Sequence, residues 1–184
     1  RGQDSTYIGK QLCLYTWNDG WEYTKTIFDT CTVAPNGEFQ FKFNLEETRK
    51  AQITLGKYEG CLFVEPGKIY SINLPNYEEP STEDKLNPYF KPQELLLSFN
   101  NLPIHDINQL ITKFEDAFDQ QWMELLSKEI NPQRIEQSIA YIDSICPISN
   151  NDFMEQYRLY RYALMVNLHA SSAPDLSIRT YFLK

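Results

Sequence analysis

Asp29-Thr30-Cys31-Thr32-Val33-Ala34-Pro35-Asn36-Gly37-Glu38-Phe39-Gln40-Phe41-Lys42-Phe43-Asn44-Leu45 is the stretch whose reading decides the fold. From Phe39 to Leu45 apolar and polar residues alternate without a break, the period of a half-buried strand. Phe39, Phe41, Phe43 and Leu45 share one face, while Glu38, Gln40, Lys42 and Asn44 share the other. Burial of each phenylalanine is worth roughly 1.5–3 kcal/mol, and a one-residue slip would put all of them in water. Pro35-Asn36-Gly37 supplies a preset φ and then residues that tolerate positive φ, as a tight hairpin turn requires. The pattern predicts a central, essential strand of a β-sheet domain. It carries no chemistry of its own.

Working outward towards the N-terminus, Lys10–Trp17 reads as a strand with Leu12 and Leu14 inward. Asn18-Asp19-Gly20 is a hairpin signal, and Trp21 to Val33 returns as the partner strand. On the other side, Ala51–Leu55, Cys61–Val64 and Lys68–Leu74 read as strands, with Glu65-Pro66-Gly67 as a type II turn. Strands every ten residues or so predict an antiparallel sandwich or barrel. From Asn76 the chain turns acidic and proline-bearing, and Glu94–Phe99 could add one more strand.

After Pro103 the period becomes helical. Ile107, Leu110, Ile111, Phe114, Phe118, Trp122 and Leu125 follow i, i+3, i+4, i+7 spacing, with Asp106 and Gln109 placed as a capping box. Asn131-Pro132 opens a second helix with the stripe Ile135, Ile139, Ile142, Ile145. Asn151 caps a third, with the stripe Phe153, Tyr157, Tyr160, Leu164, and 172–183 reads as a short fourth. The expected organisation is α+β: an antiparallel β-sandwich of the immunoglobulin/transthyretin-like kind over 1–80, then a helical segment of three to four helices over 81–184.

The 184 residues are 42% hydrophobic and 14% aromatic, enough to build a core. A net charge of −8 disfavours nucleic acid and anionic membrane as partners. The longest apolar run, Leu95-Leu96-Leu97, is far too short to span a bilayer. The opening Arg1-Gly2-Gln3-Asp4 has neither Met nor an apolar signal core, as expected once a signal peptide is removed or a chain trimmed. The apolar end Tyr181-Phe182-Leu183 reads as a face that continues into a further domain.

The residues resemble a known family. Asp29-x3-Val33-x3-Gly37-x-Phe39-x-Phe41, then Val64-Glu65-Pro66-Gly67-Lys68-Ile69-Tyr70 and Leu74-Pro75, is similar to the N-terminal β-sandwich of extracytoplasmic Bacteroidetes proteins. Many of these carry a downstream thioredoxin-like domain of the thiol-disulfide oxidoreductase kind. Asp106-Ile107-Asn108-x2-Ile111-x2-Phe114-x3-Phe118 and Tyr157-x2-Tyr160-x-Tyr162 resemble the helices that follow it. The resemblance implies an extracytoplasmic (periplasmic or envelope) location and an accessory role. No catalytic residue carries over, since the Cys-x-x-Cys of the oxidoreductase domain is absent.

Cys13, Cys31, Cys61 and Cys146 have apolar neighbours and irregular spacing, which favours buried free thiols over a disulfide. His105 and His169 read as capping or surface residues. Glu115, Asp116 and Asp119 read as a solvated helix face, and Glu78, Glu79, Glu83 and Asp84 lack the spacing and glycine of a calcium loop. Trp17, Trp21 and Tyr23 at the first hairpin are the candidate binding residues, with Tyr15 behind them. Such rings stack on a sugar or anchor a partner protein; the alternative is a cross-strand aromatic pair that pins the hairpin. The reading is a non-catalytic envelope module that binds a protein or glycan, with no cofactor or metal. The alternative is the accessory front part of a thioredoxin-like oxidoreductase.

Overall fold

A computed structural model describes residues 1–17, 24–100, 102–103, 105–128 and 130–167. The chain is a mixed α+β protein that divides into two compact units, Arg1–Pro103 and Ile104–Lys184.

In the first unit the strands are β1 (Gly2–Gln3), β2 (Gln11–Trp17), β3 (Lys25–Thr32), β4 (Glu38–Phe39), β5 (Arg49–Leu55), β6 (Tyr58–Val64) and β7 (Ile72–Asn73). A short helix α1 (Thr82–Leu86), closed by a reciprocal Ser81–Asp84 capping box, precedes β8 (Gln93–Leu96) and β9 (Ser98–Phe99). One five-stranded sheet runs in the order β3-β2-β5-β6-β8, and two ribbons pair β1 with β4 and β7 with β9. The pleat of the sheet turns Leu12, Leu14, Ala51, Ile53 and Leu62 to one side, where Phe39, Tyr70 and Ile72 complete the core.

Two turns match their sequence signals. Gly37 N donates to Ala34 O at 2.8 Å and Ala34 N to Glu38 O at 2.9 Å, with Gly37 at φ +82, a tight turn closed by a left-handed glycine. Glu65-Pro66-Gly67-Lys68 places Gly67 at φ +73, where a type II turn needs it.

Three expectations are corrected. The stretch Phe39–Leu45 is not a central strand: its ladder ends at Phe39, opposite Gly2, and 40–45 is extended without sheet pairing. Its alternation survives as burial, with Phe39 buried, Phe41, Phe43 and Leu45 half-buried, and the polar residues between them exposed. The β pairing is not wholly antiparallel, because β6 and β8 run parallel, Glu59 opposite Glu94 and Cys61 opposite Leu96. This pairing also carries the first unit past the boundary expected at 80/81, to Pro103.

The second unit holds α2 (Ile107–Leu126), α3 (Pro132–Ile145) and α4 (Asp152–Asn167). The side chain of Asp106 accepts from Asn108 N and that of Asn131 from Arg134 N, so both helices start at the expected caps. In α2 the predicted stripe buries Ile107, Ile111, Phe114, Phe118 and Leu125. In α4 the buried face is displaced to Met154, Arg158, Tyr162 and Met165, and Tyr160 is exposed. Arg158 is the cause: it bonds Asp143 and the Cys146 carbonyl of α3 and its C-cap, which draws its own face inward. The short fourth helix expected at 172–183 lies outside the described residues.

Candidate functional site

The first unit has an aromatic-walled cleft of about 770 Å³ on the sheet face opposite its core. Strand periodicity builds it. Tyr15 and Trp17, two apart on β2, project to the same side, and the β2–β3 register sets Lys25 directly across from Trp17. The parallel β6–β8 pairing adds Glu59 and Glu94 side by side, and Phe90-Lys91-Pro92 closes the wall, while the ring of Tyr58 turns to the core side of the sheet.

The Tyr15 and Trp17 rings meet edge to face with centroids 5.9 Å apart. The Lys25 ammonium lies over both, 3.9 Å from the Tyr15 centroid and 4.6 Å from that of Trp17. The Tyr15 hydroxyl donates to Glu59, and Lys50 is ion-paired with Glu94. Burial, reinforced by the Glu59 hydrogen bond, pushes the Tyr15 phenol well above its ordinary range. Burial is the largest influence on Glu94 and opposes its charge, yet the hydrogen bond and positive charge of Lys50, with a hydrogen bond from Cys61, together outweigh it and hold this carboxyl below the usual range. Glu94 is therefore an acceptor at neutral pH, and a general acid would need the opposite shift. Cys61 lies beneath, fully buried, and desolvation pushes its thiol up to about 12. A thiol of that kind is no nucleophile.

Of the three candidate residues, Trp17 lies in this cleft, half-buried, whereas Trp21 and Tyr23 lie outside the described residues. The face Tyr181-Phe182-Leu183 and His169 also lie outside them. Glu59, Phe90 and Glu94 were not legible as site residues. Lys25, at the start of a strand paired with the Trp17 strand, was the one signal that hairpin register offered.

The remaining candidates are placed as follows. His105 is exposed one residue before the cap of α2. Glu78 pairs with Lys57 and accepts from Tyr58. Glu79 accepts from Tyr77 and Lys85, which with Lys10 nearby hold its carboxyl down at about 2. Glu115 departs from the solvated face expected of it: Tyr157 and Arg161 of α4 each donate to it at 2.7 Å, while Asp116 and Asp119 stay exposed. Cys13, Cys31, Cys61 and Cys146 are all free thiols. Among the described residues no group of three or more His, Cys, Asp or Glu converges on a metal-sized site, and no helix is long and apolar enough to cross a membrane.

No family model, no curated protein and no solved structure matches this chain.

Proposed function

We propose that this chain is a non-catalytic, extracytoplasmic envelope module that binds a glycan through the Trp17 cleft. The carrying observation is the pairing of aromatic faces, Tyr15, Trp17 and Phe90, with the acceptors Glu59 and Glu94 in one opening. Sugar rings present an apolar C–H face and a rim of hydroxyl donors, and such a wall answers both. The envelope location rests on the family resemblance. So does the role beside a thioredoxin-like domain; within this chain the buried, unreactive Cys61 supports an accessory part. The five-stranded sheet, with the β1–β4 and β7–β9 ribbons over its core face, supports a sandwich of the immunoglobulin/transthyretin-like class.

The test is fluorescence titration of the Trp122→Phe chain with N-acetylglucosamine and mannose oligosaccharides. A saturable response that Trp17→Ala removes, at unchanged melting temperature, supports the reading. A panel without any saturable response, or a response that persists in Trp17→Ala, overturns it.

A further inference from the structure

Tyr15 lines the Trp17 cleft and yet is only 2% exposed. Over its face, and over that of Trp17, sits the Lys25 ammonium. Other cations of this chain cover rings too, but each of them also holds a carboxylate. Lys10 pairs with Glu79, Lys57 with Glu78 and Arg161 with Glu115. Lys25 forms no ion pair among the described residues and rests on the two rings alone. Its side chain is exposed, so its flexible stem can carry the charge out to water.

The acceptors show the converse. Glu94 is neutralised by Lys50. Glu59, beside it across the parallel pairing, accepts from the neutral Tyr15 hydroxyl and has no cation of its own among the described residues. One opening therefore holds a cation without a carboxylate and a carboxylate without a cation. Both touch Tyr15, one at its face and the other at its hydroxyl, and they form no ion pair with each other.

This arrangement discriminates between ligands by charge. A neutral ligand that evicts Lys25 strips a cation from the rings and supplies none. A ligand with its own ammonium restores what it displaces, and it brings positive charge towards Glu59.

We propose that the cleft takes a glycan with free amino groups, a hexosamine whose C2 ammonium replaces that of Lys25 over Tyr15 and Trp17 while a neighbouring hydroxyl donates to Glu59. The proposal rests on the glycan reading above and narrows it to amino sugars that are not acetylated. Lys25 is then a tethered competitor, which a ligand without a cation displaces at a loss.

The experiment is calorimetric titration of the full chain with glucosamine and N-acetylglucosamine tetrasaccharides, in about 0.3 M NaCl to screen the net charge of −8. The glucosamine tetrasaccharide should bind about five- to thirtyfold more tightly, the range for a cation placed over desolvated rings. Glu59→Gln keeps an acceptor for the Tyr15 hydroxyl and should remove most of that preference at unchanged melting temperature. In spectra of the chain carrying ¹³C-labelled lysine, the Lys25 methylene protons should lie upfield under the two rings. Saturating glucosamine tetrasaccharide should return them to ordinary positions. Saturable binding of both sugars with equal affinity leaves the glycan reading standing and overturns this inference alone. Absence of binding by either sugar removes both. A preference that Glu59→Gln leaves intact is general attraction of a polycation to an acidic chain, and it overturns the inference, as do Lys25 signals that stay upfield at saturation. Equally tight binding of N-acetyl-lysine amide would place a lysine side chain in the site instead of an amino sugar and would also overturn it.

Discussion

The Lys25 ammonium caps the Tyr15 ring at 3.9 Å, so the aromatic floor of the cleft is already occupied by a cation from the neighbouring strand. A neutral sugar must displace it. A partly exposed cation–π contact is worth about 0.5–1 kcal/mol, so Lys25→Ala should tighten binding of a neutral oligosaccharide about two- to fivefold. The dissociation constant from the same titration reads this directly. Weaker binding would show that Lys25 contacts the ligand itself.

Tyr15 joins the cleft to the sheet through its hydroxyl bond to Glu59. Removal of the hydroxyl alone, in Tyr15→Phe, should cost about 1–2 kcal/mol, since half-buried Glu59 regains water in exchange. Tyr15→Ala empties a buried ring site and should cost about 3–5 kcal/mol. Urea unfolding of both variants checks the ratio; equal losses would mean the ring packs loosely.

Phe114 and Phe41 make a matched pair. Phe114 has no exposed surface and touches Phe118, Tyr157 and Tyr162, so Phe114→Ala should cost about 3–5 kcal/mol. Phe41 is half-buried beside an open groove, and its loss should cost about half as much or less. Denaturant melts that put Phe41→Ala at or above Phe114→Ala would contradict the open groove.

Arg158 is nine-tenths or more buried, bonded to Asp143 and the Cys146 carbonyl, with Glu155 3.7 Å from its Nε. Arg158→Met keeps the volume and removes the charge, leaving Asp143 free to rehydrate from its exposed side. The cost should stay within about 1–3 kcal/mol. Asp143→Ala strands the buried guanidinium instead and should be the worse of the two, also because the Tyr162 hydroxyl loses its 2.6 Å acceptor. Thermal melts of the pair give the order, and the reverse order would show that Glu155 suffices for Arg158.

Acid should destabilise the first unit through Glu79 and Glu94. Both carboxyls are held below their ordinary range in the folded chain, Glu79 at about 2. A depressed carboxyl contributes stability above its unfolded pKa of about 4.3 and loses that contribution as pH falls through the folded value. Melting temperature should therefore decline from about pH 5 towards pH 2, and the double variant Glu79→Gln/Glu94→Gln should flatten that limb. A flat limb in the unmodified chain would remove these two groups from the account.

Local chemistry is legible in the order of the residues alone. The Pro35-Asn36-Gly37 turn, the caps Asp106 and Asn131, and the 3.6-residue stripe of α2 all depend on residues within a few positions of one another, and the fold realises each. Trp17 too is legible, because an aromatic at a hairpin end is a local feature. What the tertiary structure decided is everything that joins distant segments. Alternation in Phe39–Leu45 specifies which face is buried but not which strands flank it, and its neighbours proved to be β1 and an open groove. The α4 stripe shifted because a single arginine found an acceptor pair on α3, an energy that no periodicity records. The cleft acquired Glu94 beside Glu59 only through a parallel pairing across an intervening 34 residues, Gly60 to Gln93. Side-chain period is a property of one segment; pairing is a free-energy competition among all of them, and it is settled only when the chain closes on itself.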